Sequence, residues 1–415
     1  MHSGVVIVGG GQGGFQAAAS LRDEGYDGPI ALICDEAVLP YQRPPLSKGF
    51  LTGKTAPAQL QLRPDAFYAE RNIEVLVNER VTSINRAARN VTLASGATRP
   101  WSHLVLATGS IPRMPPVPGA DLAGVQTLRT SVDAQVLLER LQGQGQPDKP
   151  RRLVVVGAGF VGLEVAVVAR ELGLDVDLLE FGARALQRSV SAEAAGYLSD
   201  ALQRRGARIH FSTGAAAFVG AEGQVRAVRT HRGDVLDADL VVVGIGVEPD
   251  DRLARAAGLA VDDGVLVDEY LVSSDPAISA LGDCARFPAA YAAQPVRLES
   301  VQNAVDQARC VAARLAGKPA PYDKVPWFWS DQGDNRLQIA GVAAAGDQAV
   351  LRGSAAEGRF SVLRLRDGHL SAVESINNAA DHMAARKLLA ARVAITPEQA
   401  ADTSVKLASL AAVPA

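Results

Sequence analysis

Cysteine is scarce in this chain: three in 415 residues, Cys34, Cys284 and Cys310, far apart, without a C-x-x-C pair and without ligand-like spacing to the six histidines. That pattern argues against a disulfide framework and against a zinc or iron–sulfur centre, so no metal site is expected. An excess of basic charge is missing too, and a formal net charge of −3 leaves no footprint for nucleic acid. No apolar run reaches transmembrane length, and the N-terminus lacks the charged region, apolar stretch and cleavage site of a signal peptide. A protein of the reducing cytoplasm, neither exported nor membrane-spanning, is expected. What is present suits real cores: 48% hydrophobic and 21% charged residues, in a chain long enough for two or three domains.

Val5-Val6-Ile7-Val8 is a continuous β-branched run, as in a strand buried on both faces of a parallel sheet. It runs straight into G-x-G-x-x-G at Gly9, Gly11 and Gly14, with a helix expected from Phe15 to about Glu24. Glycines there permit a tight turn and close approach of backbone to a pyrophosphate, at which the helix N-terminus points its positive end. The next strand, Ile30 to Cys34, ends in Asp35-Glu36, where a carboxylate can accept from the ribose hydroxyls; by strand position Asp35 is preferred. Just beyond lies Tyr41-Gln42-Arg43-Pro44-Pro45-Leu46-Ser47-Lys48. Its paired prolines impose an extended path, and Ser47 is placed to cap a short helix beginning near Lys48.

Ile73–Val77 and Val91–Leu93 read as strands, with Arg80-Val81-Thr82-Ser83-Ile84 between them, suggesting a small β-excursion inserted into the dinucleotide fold. Leu104–Leu106 then leads into the small-residue turn Ala107-Thr108-Gly109-Ser110, which either lets backbone approach a ligand or is loop chemistry alone. After a Gly/Gln/Pro linker at 142–150 the pattern repeats. Leu153–Val156 enters Gly157-x-Gly159-x-x-Gly162, Glu164 sits on the first turns of the helix, and the strand Asp175–Leu179 ends at Glu180. A carboxylate there favours NADH over NADPH, against which Arg184 and Arg188 could accommodate a 2′-phosphate. Two complete fingerprints imply two dinucleotides, most economically a resident flavin dinucleotide and a nicotinamide dinucleotide that comes and goes. Leu240–Asp250 is a further strand and turn, and Ile278–Cys284 a short strand ending in Gly282-Asp283, whose carboxylate suits either a polyol such as the ribityl chain or a helix cap.

Taken together, the two fingerprints, Ala107-Thr108-Gly109, Gly244-x-Gly246-x-x-Pro249 and Gly282-Asp283 resemble the two-dinucleotide flavoprotein reductases of the glutathione-reductase fold. Pro44–Lys48, Gln302-Asn303-Ala304 and Pro326-Trp327-Phe328-Trp329-Ser330-Asp331-Gln332 narrow the resemblance to ferredoxin or rubredoxin reductases of oxygenase systems, the putidaredoxin reductase-like family. It spans about residues 4 to 380 and implies an α/β fold: two Rossmann-like dinucleotide-binding domains plus a C-terminal α+β domain. On that reading 1–112 with 248–322 holds FAD, 113–247 holds NADH, and 323–415 covers the flavin.

The resemblance also implies roles. Gly9, Gly11 and Gly14 would meet the FAD pyrophosphate, Asp35 its ribose, Asp283 the ribityl chain, and Val301 the pyrimidine side of the ring. Arg43, Lys48, Val81, Ala107, Thr108, Gly109, Arg129 and Trp329 join the FAD set. Gly157, Gly159, Gly162, Glu180 and Gly246 match the NADH site, with Glu164 and Glu299 near the nicotinamide; Asp250 stands where asparagine is more usual. Lys48 and Glu164 would form an ion pair beside flavin N5, the lysine stabilising developing negative charge. Hydride from the nicotinamide would reach flavin, and electrons would leave singly to a 2Fe-2S ferredoxin or rubredoxin serving a P450 or other oxygenase.

Disulfide, thiol-peroxide and coenzyme A disulfide reductases of this fold need cysteine facing the flavin, and the stretch from Leu39 to Lys48 has none. An NADH oxidase or diaphorase, or a flavin-stabilised interaction protein like apoptosis-inducing factor, is the competing reading. Arg309 and Arg314 are expected on a solvated helix face or at a docking surface, and His103, His369 and His382 at the surface.

Overall fold

The computed structural model describes residues 4–143, 150–289, 291, 292 and 294–412; most of the expected linker at 142–150 lies outside them. The chain folds as two compact units: residues up to Gln42, Pro57–Ile111 and Glu248–Pro326 form the first, and Arg43–Ala56, Pro112–Val247 and Trp327 onward form the second.

In the first unit, β1 (Gly4–Val8) is buried along its whole length and pairs in parallel with β2 (Ile30–Ile33) on one side and Thr98–Leu106 on the other. A strand covered on both faces can be apolar at every position, which is why the run shows no alternation. Each fully buried Val or Ile there is worth roughly 1.5–3 kcal/mol. Ile73–Leu76 continues the parallel sheet beyond β2, and Ile278–Ala280 continues it beyond Thr98–Leu106. Only Val81–Asn85, Asn90–Leu93 and the first half of Thr98–Leu106 make the antiparallel excursion. Ile73–Leu76 therefore belongs to the dinucleotide sheet itself, not to the excursion. The helix α1 (Gln12–Asp23) packs on the helix Val301–Leu315 because the facing residues are small: a Cβ on Gly13 would fall 2.5 Å from Leu281 Cδ1 and 3.6 Å from Ala304 Cβ.

The second unit repeats the plan. Its parallel sheet runs Arg208–His210, β4 (Asp175–Leu179), β3 (Arg152–Val156), Leu240–Val243, Val125–Gln126, and α2 (Phe160–Glu171) follows β3. Its five-stranded antiparallel sheet has the order Trp327–Gln332, Asn335–Gly341, His369–Ile376, Arg359–Arg366, Gln348–Ser354. Against it Ala379–Ala390 buries Ala384, Ala385 and Leu388 on Ala340, Leu363 and Val373. The two sheets are tied within this unit by buried polar contacts: Ser191, capping the helix Ala192–Arg204, donates its N–H (2.8 Å) and its hydroxyl (2.5 Å) to Glu374. Among the described residues no helix is long and apolar enough to cross a membrane.

Candidate functional site

The proline turn is built differently from the expectation that Ser47 starts a helix. Pro44–Ser47 is itself a single 3-10 turn that ends where that helix was to begin. Proline fits a first turn because its φ is already right and its missing N–H would have had no partner there. The turn brings Ser47 and Lys48 to one carboxylate. Glu164, 4% exposed on α2, accepts Ser47 Oγ at 2.5 Å and Lys48 Nζ at 2.8 Å on one oxygen, and Ser330 Oγ at 2.6 Å on the other. Lys48 Nζ also donates to Pro44 O at 3.2 Å. A buried carboxylate with three donors is satisfied; removing a partner from such a buried pair typically costs about 3–5 kcal/mol.

Sequence alone does not single out Ser330, although it lies within the Trp327–Gln332 motif. The strand buries Ser330 and Gln332 while Trp327, Trp329 and Asp331 stay partly exposed, a pattern that the run W-F-W-S-D-Q does not itself display. Phe160, the first residue of α2, packs on Phe328 with ring centroids 4.5 Å apart and planes tilted by 52°, and Trp329 lies 6.4 Å from Phe328 and 5.6 Å from Trp327. Arg43 donates to the Arg129 carbonyl at 2.7 Å. Arg129 is itself pinned by a capping box, its N–H and that of Thr130 both donating to Asp133.

Each unit carries a phosphate-sized cradle. A Cβ on Gly14 would sit 1.9 Å from Gly9 O, and one on Gly162 2.0 Å from Gly157 O, so helix and strand touch through glycine alone. A Cβ on Gly11 would meet nothing within 4 Å, and Gly159 would meet only Gly244 O at 3.7 Å. Both helices start without a side-chain cap and without an acidic residue in the first turn. Their leading N–H groups are therefore left for an anion, and the donor sets fit two dinucleotides. Gly246 has φ +103°, a conformation that favours glycine, and a Cβ there would fall 3.0 Å from Arg188 Nη2.

The acids that follow each cradle differ in readiness. Asp35 lies open at the end of β2, 3.7 Å from Arg80, whereas Glu36 accepts from Tyr41 Oη at 2.6 Å. Glu180 is already oriented: its two oxygens accept the N–H groups of Ala158 at 2.8 Å and Gly182 at 2.6 Å. Arg184, whose cation could accommodate a 2′-phosphate, donates to the carbonyls of Ala185, Gln187 and Ser191, which ties it into its own loop.

In the first unit Asp283 accepts from Ser110 Oγ at 2.9 Å, and Val301 opens a helix capped by Ser300, whose hydroxyl accepts from Asn303 N–H. Thr108 Oγ1 donates to Asp250 O at 2.6 Å and Asp250 N–H to Gly109 O at 2.9 Å, while the Asp250 carboxylate takes Arg252 at 2.7 and 2.8 Å. Asp250 is thus a brace for the Ala107–Gly109 turn. Ala107 is 8% exposed. Val81 is buried in the core, leaving only its main chain for a ligand. Glu299 is ion-paired to Arg297 at 2.7 Å.

Cys34 is buried and, by burial first and then by Asp35 and Glu36, pushed up to about 12; burial likewise raises Cys284. Neither supplies a thiolate. Two histidines expected at the surface are inside: His103 against Ser279 at 3.0 Å, and His382 edge-on to Trp327. Arg314 also turns inward to Ser279 at 2.5 Å, so it contributes no docking charge. For His103 and Arg314 the anchor is one hydroxyl, that of Ser279 on a neighbouring strand, which local sequence does not reveal; His382 is held by ring packing instead.

The pyridine nucleotide-disulphide oxidoreductase family matches residues 3–308, most of the chain. The chain belongs to this family. In keeping with that membership it is an oxidoreductase that uses a pyridine nucleotide, and residues 327–411 match the reductase C-terminal family. Within the pyridine nucleotide-disulphide oxidoreductases it is 47% identical to rhodocoxin reductase of Rhodococcus erythropolis, over 97% of this chain and 93% of that one. It superposes with TM-score 0.95 on the ferredoxin reductase for the CYP199A2 system from Rhodopseudomonas palustris, at 47% identity, covering 99% and 100% of the two chains. It matches the reductase in the covalent putidaredoxin reductase–putidaredoxin complex with TM-score 0.94 at 38% identity, covering 99% and 98%.

Proposed function

We propose that this chain is an FAD-dependent NADH:ferredoxin reductase serving a P450 or other oxygenase. FAD occupies 1–112 with 248–322, NADH 113–247, and 323–415 completes the reductase. Support comes from two glycine cradles with their acids, from relatives named as ferredoxin reductases of oxygenase systems, and above all from the Lys48–Glu164 pair at the end of a stretch, Leu39 to Lys48, that holds no cysteine. Three cysteines without a disulfide suit the cytoplasm.

When bound, the two cofactors supply hydride transfer from nicotinamide to flavin and onward release of single electrons. The chain supplies position and field. Gly9, Gly11 and Gly14 present N–H groups to the FAD pyrophosphate, Asp35 takes the ribose, Asp283 the ribityl hydroxyls, and the helix beginning at Val301 turns its positive end to the pyrimidine. Gly157, Gly159, Gly162 and Gly246 do the same for NADH, with Glu180 on its ribose. Lys48 is the fixed cation that would stabilise negative charge on a bound flavin. Glu164 aims that cation, and Ser47 and Ser330 aim Glu164.

Anaerobic mixing with NADH or NADPH, followed by cytochrome c reduction with and without 2Fe-2S ferredoxins, tests the assignment. NADH should bleach the flavin much faster than NADPH, and a ferredoxin should be required for rapid cytochrome c reduction. A ferredoxin-independent rate would make the chain a diaphorase instead. Lys48→Met should slow flavin reduction by about a hundredfold; a variant as fast as wild type would remove Lys48 from the mechanism.

A further inference from the structure

Phe181 follows Glu180 at the C-terminal end of β4, and at 79% it is the most exposed large apolar side chain among the described residues. A single exposed hydrophobe is ordinary. This one is held in place with no fold-level reason for its exposure. The backbone on either side of it is fastened to the next loop: Thr213 N–H donates to Glu180 O and Ser212 N–H to Gly182 O, both at 2.8 Å. Its ring lies over Gly214, where a Cβ would fall 3.1 Å from Cδ2, so a larger residue there would displace it. His231 lies against the same glycine, its ring centroid 5.9 Å from that of Phe181 and tilted by 53°, and the Gly214 N–H donates to its Nδ1 at 2.9 Å. Two aromatic rings thus lie against a bare glycine, beside a carboxylate already oriented by Ala158 and Gly182.

We infer that Phe181, supported by His231, is the stacking platform for the adenine of the nicotinamide dinucleotide. The inference rests on the assignment of NADH to the second fingerprint. If Glu180 accepts from the adenosine ribose, the base is one glycosidic bond away, and the residue next to Glu180 is the one placed to meet its face. An aromatic side chain with two rotatable bonds loses little freedom on stacking and tolerates no charge requirement, which suits a cosubstrate that must leave each turnover. Phe181 is a binding residue far from the reacting carbon, so its effect falls on substrate affinity and not on the chemical step.

Holoenzyme kinetics with NADH and with reduced nicotinamide mononucleotide, which lacks the adenosine half, separate this role from a structural one. Phe181→Ala should raise KM for NADH about tenfold with kcat unchanged, since base–aromatic stacking carries an effect of that order. The same variant should leave kinetics with the mononucleotide unaltered, and competitive inhibition by AMP should weaken in parallel with NADH. Phe181→Trp should restore both. A KM for NADH unchanged in Phe181→Ala, or equal damage with both reductants, overturns the platform. Wild type that NADH does reduce, with Phe181→Ala indistinguishable from it, refutes the platform alone; wild type that NADH fails to reduce refutes the assignment of the second fingerprint and this inference with it.

Discussion

Glu164 is a carboxylate with three hydrogen-bond donors and almost no water, and each donor has a distinct consequence. Lys48 balances its charge, Ser47 shares the same oxygen, and Ser330 holds the other. Losing the Ser330 hydroxyl leaves one oxygen of a buried anion with a donor fewer, an expense of about 1–3 kcal/mol. Ser330→Ala should therefore lower the unfolding midpoint and slow flavin reduction by NADH, because an under-held Glu164 no longer fixes Lys48. Ser330→Thr, which keeps the hydroxyl, should recover the rate. Thermal unfolding alongside stopped-flow absorbance checks both, and an alanine variant equal to wild type in the two assays would reduce Ser330 to filler. Lys48 and Glu164 could be paired in advance because the family resemblance implies both, and the structure joins them at 2.8 Å. Ser330 could not, since nothing local says that a serine 166 residues later donates to that carboxylate. Asp250 was opaque for a related reason: what it does is done by its backbone, through Thr108 and Gly109.

At the scale of elements, the strands of the strand–glycine–helix units were legible because β1 and most of β3 are buried on both faces, while the first helix starts at Gln12, inside the glycine run and three residues before the expected Phe15. Edges were harder to read. Ile73–Leu76 is fully buried only at Ile73 and looks like any half-exposed hairpin strand, yet it is the parallel edge of the first sheet. Pro44–Ser47 misled in the other direction, since prolines that forbid a helix interior are well suited to a lone first turn. The two cradles make a paired prediction. Gly14→Ala forces a Cβ into Gly9 O, and Gly162→Ala forces one into Gly157 O, each about 2 Å away where neither backbone can yield. Gly14→Ala should purify with its flavin largely lost. Gly162→Ala should keep a normal flavin spectrum yet bind NADH at least tenfold more weakly, roughly a 1.4 kcal/mol effect. Flavin content by absorbance and NADH titration distinguish the two; flavin loss in the Gly162 variant would upset the assignment of one dinucleotide to each fingerprint.

For the whole molecule, acid sensitivity is built into both units by buried histidines beside arginines, Asp275 offsetting only part of the effect at His103. Burial first, then Arg314, holds His103 down to about 4, and burial, then Arg386 and Arg336, does the same for His382, whose Nδ1 is buried without a hydrogen-bond partner among the described residues. Both stay neutral in the native state while the unfolded chain takes up protons near pH 6.5. The stability they confer is complete above pH 6.5 and drains away as pH falls toward about 4, by up to about 2–3 kcal/mol for each histidine. Glu374 works with the opposite sign. Burial raises its pKa despite the bonds from Ser191 and Arg364, so the native state holds a proton that the unfolded state releases, and its contribution declines as pH rises above the ordinary carboxylate range. Asp347 acts only in stronger acid: burial pushes its pKa up, but Arg366, Ala344 N–H and Ser371 outweigh that and bring it down to about 2, so its contribution is lost between about pH 4 and 2. The histidine window is thus separable by substitution. Unfolding midpoints of the holoprotein should fall from pH 7 to pH 5, and His103→Gln and His382→Gln should each flatten that fall even where they lower the midpoint at pH 7. A slope left unchanged by both substitutions would mean that the two imidazoles are charged in the native state, which the positive neighbours Arg314 and Arg386 oppose.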